Sequence, residues 1–145
     1  MEEHRQLQKL SRTQALALLS SVPLGRLVFT YQALPAIRPV NHLVECESII
    51  IRATAGAAVA AAARHGVVVA YEADTIDIER RSGWSVIVLG TARVLTDDLA
   101  AERYRRQLHP WLSDPMDDVI TISADIVTGY RMVAAEPAGA APAGR

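Results

Sequence analysis

A chain of 145 residues and 15.7 kDa, half of them apolar and 21% charged, has enough apolar mass for one buried core and little room for a second domain. Fifteen basic residues against sixteen acidic ones give a formal net charge of -1, which argues against a dedicated nucleic-acid binder with a broad basic face. One cysteine, Cys46, excludes an intrachain disulfide framework and a cysteine-rich zinc site, and the apolar runs fall far short of the ~18 residues that a membrane-spanning helix needs.

In chain order, Met1-Glu2-Glu3-His4-Arg5 has no apolar signal core behind it, so the expectation is a cytoplasmic protein without a membrane anchor. Ser11 and Gln14 have the spacing of a capping box, and Leu16, Leu18, Leu19 and Val22 give the following helix an apolar face until Pro23 stops it. Gly25 to Tyr31 reads as a strand, Gln32 to Pro35 as a turn, and Ala36 to Leu43 as a second strand interrupted by Pro39. Proline cannot donate to a ladder, so Pro39 marks an edge, a bulge or a site. Glu45-Cys46-Glu47 is a hairpin turn in which the flanking carboxylates disfavour a cysteine thiolate. Ser48 to Arg52 is a third strand. Thr54 is an N-cap for an alanine-dense helix over Ala55 to Ala63 that Gly66 ends.

Val67 to Glu72 is a fourth strand, Asp74 to Gly83 a charged loop, and Trp84 to Leu95 a long fifth strand. Thr96-Asp97-Asp98 caps a helix to about Leu108; a loop over His109 to Asp117 and strands over Val119 to Ser123 and Val127 to Val133 follow. From Glu136 the chain is Ala, Pro and Gly, expected to be a disordered tail behind a single domain over 1–135. About seven strands joined by short turns, with three helices at the margins, predict an α+β, mainly β domain on an antiparallel sheet or barrel.

Familiar catalytic patterns fit poorly. No Gly-x-Gly-x-x-Gly follows a strand, and no P-loop is present. Gly83-Trp84-Ser85-Val86-Ile87 begins like a nucleophile elbow but enters a strand rather than a helix. His4, His42, His65 and His109 lack metal-ligand spacing, so no metal site is expected. Asp97-Asp98 and Asp117-Asp118 are explained by capping and turns, and Arg103, Arg105 and Arg106 by a solvated helix face.

Three segments carry a different signal. Arg38-Pro39-Val40-Asn41-His42 is a proline-broken strand ending in polar groups; Ser48 to Gly56 is a strand delivering Arg52 towards a helix start; Arg80 to Val86 leads Trp84 into a long strand. Together with Val22-Pro23-Leu24-Gly25-Arg26-Leu27, His109-Pro110-Trp111 and Ile126-Val127-Thr128-Gly129-Tyr130-Arg131, these make the chain resemble the pyridoxamine 5′-phosphate oxidase-like proteins, the FMN-binding split-barrel superfamily, and most of all its small actinobacterial-type members. The likeness runs from about Ser11 to Val133.

What the resemblance implies is a split β-barrel of six to seven antiparallel strands with two to three peripheral helices, a homodimer, FMN at the subunit interface, and hydride transfer through the flavin. Cofactor contacts then fall on Pro39, Val40, Asn41, Arg52, Ala53, Thr54, Ala58, Trp84, Ser85 and Trp111, with His42 a candidate proton donor. Arg52 suits the phosphate because a guanidinium offers forked donors. The sequence departs from the family pattern where many members carry hydroxyl residues and a lysine for that phosphate, since Ala53, Ala57 and Ala58 stand there. A non-catalytic flavin- or haem-binding dimer and a deazaflavin-dependent reductase using Arg64, Arg80 or Arg81 are the alternatives. An actual pyridoxamine phosphate oxidase would need a second basic cluster, and only Arg80-Arg81 offers one.

Overall fold

The computed structural model describes residues 5–53, 57–108 and 118–134. The elements are β1 (Arg5–Lys9), α1 (Arg12–Ser20), β2 (Leu24–Tyr31), β3 (Leu34–Glu45), β4 (Ser48–Ala53), α2 (Ala58–Ala63), β5 (Val67–Asp77), β6 (Ser82–Val94), α3 (Asp98–Gln107), β7 (Asp118–Ser123) and β8 (Ile126–Ala134). The strand order is β1-β8-β6-β5-β2-β3-β4-β7, every pair is antiparallel, and a further β6–β7 pairing closes six strands into a barrel. β8 and β1 continue outward from the first half of β6. This is the split barrel that the resemblance implied.

β6 makes the closure possible. Its residues Gly83–Leu89 pair with β8 and Ala92–Val94 with β7, so the strand changes partner at Gly90. There the chain presses against the backbone carbonyl of Ser123, and a β-carbon on Gly90 would overlap that oxygen. Thr91 N–H donates to Ser123 Oγ and Asp125 N–H to the Leu89 carbonyl, which ties the β7–β8 turn across the changeover.

The barrel interior follows the two-residue period of its strands. Leu27 and Phe29 of β2, Val69 and Tyr71 of β5, Val86 and Val88 of β6, and Ile120 and Ile122 of β7 are buried there. β4 is covered on both faces: Ile49 and Ile51 point inward, while Ile50 packs outward against Ala101, Tyr104 and Leu108 of the α3 region. Hence its unbroken apolar run. The capping box of α1 forms as expected, with Gln14 N–H on Ser11 Oγ at 3.1 Å and Ser11 N–H on Gln14 Oε1 at 3.0 Å. Asp97 caps α3 through Leu99 and Ala100.

Four expectations are corrected. β1 was not anticipated, because Gln6-Leu7-Gln8-Lys9 is an exposed edge strand with one apolar side chain. The charged segment Asp74 to Gly83 is mostly strand: β5 runs to Asp77, β6 begins at Ser82, and only four residues turn between them. Asp74 and Asp77 belong to β5, and Glu79, Arg80 and Arg81 to the turn, a division that the continuous run of charge conceals. α2 begins at Ala58 with Ala57 as an N-cap that makes no side-chain bond, not after Thr54. β3 runs through Pro35 and Pro39, because residues before His42 pair only with β2 and leave the other edge open. The supposed tail, 136–145, lies outside the described residues.

Gly90→Ala is expected to cost about 3 kcal/mol by overpacking against immovable backbone, and to lower the thermal midpoint by about 10 °C in a melting experiment.

Candidate functional site

Strand geometry decides which side chains meet. The β3–β4 ladder ends at His42–Ile51, so Asn41 and Arg52 stand one register step beyond it, side by side. Alternation puts both on the outer face that they share with Leu43 and Ile50, beneath α3. Arg52 is half-buried there, and its Nη1 donates to the Leu108 carbonyl at 2.9 Å and the Arg105 carbonyl at 3.3 Å. These carbonyls belong to the end of α3, where a cation also opposes the helix dipole. Arg52 therefore caps a helix C-terminus, and these bonds orient a group with five donors. Pro39 lies two residues before Asn41 on the same outer face, at the open edge.

Val40 and His42 point the other way. The ring of Tyr71, wholly buried, lies across Gly25, where a β-carbon would overlap it. Its hydroxyl is 3.1 Å from the Val40 carbonyl and 2.6 Å from His42 Nδ1, while His42 Nε2 is 2.8 Å from the Leu19 carbonyl. A carbonyl needs a donor, so neutral His42 carries its proton on Nε2 and accepts from Tyr71 at Nδ1. Burial lowers the His42 pKa and raises that of Tyr71. His42, the candidate proton donor, is thus a core histidine, 4% exposed, with both ring nitrogens engaged inside the fold.

Ala53 of β4 lies in the core and Ala58 of α2 packs against it, and neither side chain supplies a polar group. Thr54 and Trp111 lie outside the described residues. Trp84 and Ser85 are elsewhere. Arg52 pairs with Val119 of β7, whose neighbour Ile120 pairs with Val94 of β6; Trp84, near the start of that same strand, lies about ten residues earlier, or about 30 Å of extended chain. One chain therefore brings Val40, Asn41, Arg52 and Ala53 together and holds Trp84 and Ser85 at its far end.

At that far end Trp84 packs its ring partly against the core. Ser85 faces outward and lines an open groove of about 400 Å³ with Leu7, Ile76, Tyr130 and Met132. Sequence reasoning missed this groove, since its walls come from β1 and from the segment read as a loop. Alongside it, Arg26 bridges Glu72 at 3.1 Å and Asp74 at 3.5 Å. Desolvation and the adjoining Asp74 push the Glu72 carboxyl up to about 7 despite Arg26. Arg64 pairs with Asp118 and Arg80 with Asp77. No group of three or more potential metal ligands occurs among the described residues, and none of their helices is long and apolar enough to cross a membrane.

Residues 11–141 match the pyridoxamine 5′-phosphate oxidase family. The chain belongs to that family. It is 52% identical to the uncharacterized Mycobacterium tuberculosis protein Rv0080 over 134 residues, 90% of this chain and 88% of that one. It also resembles the structure of the FAD binding protein from Mycobacterium smegmatis (33% identity, TM-score 0.70, covering 86% of this chain and 97% of that one). A FAD-binding protein from Mesorhizobium loti shares the fold at 19% identity, with a TM-score of 0.72 over 90% of this chain and 99% of the other. The family motifs at Gly25 and Gly129 now have structural reasons: Gly25 admits the Tyr71 ring, and Gly129 lets β8 approach Ala15 of α1.

The titrations of His42 and Glu72 oppose each other. Folded His42 resists a proton that the unfolded chain takes up below about pH 6.5, so acidification costs stability. Folded Glu72 takes a proton below about pH 7 that the unfolded chain refuses until about pH 4.5, so acidification adds stability. Urea midpoints between pH 7.5 and 5 should therefore fall more steeply with acidification in Glu72→Gln than in the wild type. They should fall less steeply, or rise, in His42→Asn.

Proposed function

We propose that this family member is a cytoplasmic, flavin-dependent oxidoreductase, a homodimer that binds FMN in two sites, each built from both chains. The observation that carries the reading is the placement of Arg52 beside Val40–Asn41, with Trp84 and Ser85 about ten residues away along β6, about 30 Å of extended strand. That span exceeds the length of one FMN, so a site using all of these residues needs a second copy. An exposed apolar face that includes Leu7, Ile76, Ile87, Leu89, Ile126 and Met132 gives the second copy a surface to cover. The FAD bound by the M. smegmatis relative supports a flavin rather than another ligand.

The residues present fit such a group. Arg52, held by the α3 carbonyls, takes the anionic end with its forked donors. The Val40–Asn41 peptide and the Asn41 amide offer a donor and acceptors for the polar edge of a ring. Ala53 and Ala58 leave an apolar wall without a second cation, and Trp84 and Ser85 of the partner cover the ring and meet its edge. When bound, the flavin supplies hydride acceptance and donation. The chain's own work is placement: binding, orienting and excluding water, with His42 closed off from any outside ligand.

The sealed His42 and the alanines also favour a second reading, a dimer that binds flavin or haem without catalysis. Parallel titrations with FMN, FAD, haem and a deazaflavin, followed by a test of whether a reduced nicotinamide dinucleotide reduces the bound ligand, separate these readings.

A yellow protein with a flavin absorbance spectrum is expected after addition of FMN. Arg52→Gln should weaken FMN by about 10- to 150-fold, the loss of one charge-assisted hydrogen bond. Riboflavin, which lacks the phosphate, should bind both proteins alike, and Arg52→Lys should recover part of the affinity.

A further inference from the structure

The outer face of the sheet is a grid set by the strand registers. One row runs Pro39–Arg26–Glu72–Ile87–Thr128 across β3, β2, β5, β6 and β8, and the next runs Ile37–Val28–Ala70–Leu89–Ile126. Paired residues of an antiparallel ladder point to the same side, so each row shares one face. The second row is wholly apolar, and Ile37, Leu89 and Ile126 in it are exposed. In the first row Arg26 holds Glu72 at 3.1 Å and, one row further on, Asp74 at 3.5 Å, while Pro39 and Ile87 flank the cluster without charge. The Arg26 side chain is still 51% exposed, so a guanidinium with five donors has capacity beyond its own chain. Both signs of charge on one face make that face self-complementary, as a two-fold contact requires.

The shared flavin site dictates how two such faces meet. Asn41 pairs with Leu24, and Ser85 with Asp74, so both stand in the row next to Arg26 and Glu72, on the same side of it. Asn41 is on β3 and Ser85 on β6, with β2 and β5 between them. For Ser85 of one protomer to face Asn41 of its partner, a two-fold axis lying in the interface has to be the perpendicular bisector of the line joining them. That axis runs parallel to the strands, midway between β2 and β5. It lays β2 of one protomer over β5 of the other and keeps each row on itself. Arg26 then stands opposite Glu72 of the partner subunit at the centre of the contact, and Val28 opposite Ala70 of the partner subunit in the apolar row. Packed sheets lie about 10 Å apart, a gap that a facing arginine and glutamate bridge.

We propose that the face formed by β3, β2, β5 and β6 binds a second copy of this chain, with Arg26 of each protomer bridging its own Glu72 and Glu72 of the partner subunit across the two-fold axis. This rests on the shared-site reading above and goes beyond it by naming the ion pairs that set the register of the two chains. Desolvation and Asp74 already push the Glu72 carboxyl up to about 7, so one proton held between Glu72 and Asp74 leaves each cluster neutral and fit for burial.

The test exchanges the two charges within one chain. Arg26→Glu/Glu72→Arg keeps an intrachain ion pair, and each such chain still meets opposite charge in a second copy of itself. Against a wild-type chain it meets like charge at both contacts. Wild type and double variant, each checked for its fold by circular dichroism, should both be dimeric. Native mass spectrometry of an equilibrated mixture, one protein isotope-labelled, should show mixed dimers at least about 100-fold below their statistical share. The single variants Arg26→Glu and Glu72→Arg should do the reverse: each is monomeric alone, and the two combine one to one, a rescue that an ion pair confined to one chain does not give. Statistical mixing of wild type with the double variant, or single variants that dimerise as tightly as the wild type, would overturn the proposal and leave the homodimer standing. A monomeric wild type would remove the two-chain site and this proposal with it, whatever flavin the protein takes up.

Discussion

Strand β6 is the constraint on which the molecule depends. It pairs along its length with β5 on one edge and, on the other, first with β8 and then with β7. The handover at Gly90 closes six strands into a barrel and sends β8 and β1 away from it. Because β6 runs through the whole barrel, its two ends define the two ends of the molecule. Trp84 lies near one, and Val94 leads to Arg52 at the other. A thirteen-residue strand thus imposes a separation that no side chain can span.

Polar groups are buried only where each has a specific partner. His42 donates to the Leu19 carbonyl and accepts from Tyr71, and Arg52 serves the carbonyls that end α3. Both arrangements converge on the end of β3, one from the barrel interior and the other from the α3 side. Between them lie Val40 and Asn41, on a strand rather than a loop.

Features encoded locally were legible in the sequence. Ser11 with Gln14 and Asp97 before its helix specify caps through neighbours three residues away or fewer, and both form. Ser48 to Arg52 was legible as a strand, and Pro39, which marked an edge, a bulge or a site, falls on the open edge of β3. Features set by distant partners were not legible. Gln6-Leu7-Gln8-Lys9 becomes a strand only because β8 offers an edge, and Asp74 looks like the start of a charged loop until Arg26 and the outward face of β5 explain it. The importance of Gly25 lay in a ring 46 residues later in the chain, and His42 carried no signal that it would be enclosed. Arg52 was read correctly as a strand-end guanidinium, but its service to α3 depends on a contact with residues more than fifty positions away.

The central claim is that the complete site is shared between two chains. Complementation tests it most directly: Arg52→Gln and Trp84→Ala chains are titrated with FMN separately, then unfolded together, refolded as a mixture and titrated again. A shared site predicts weak binding by each parent and recovery of tight binding in a fraction of the mixed sites, since a mixed dimer unites an intact Arg52 from one chain with an intact Trp84 from the other. Mixed dimers that bind no better than the parents would contradict the account.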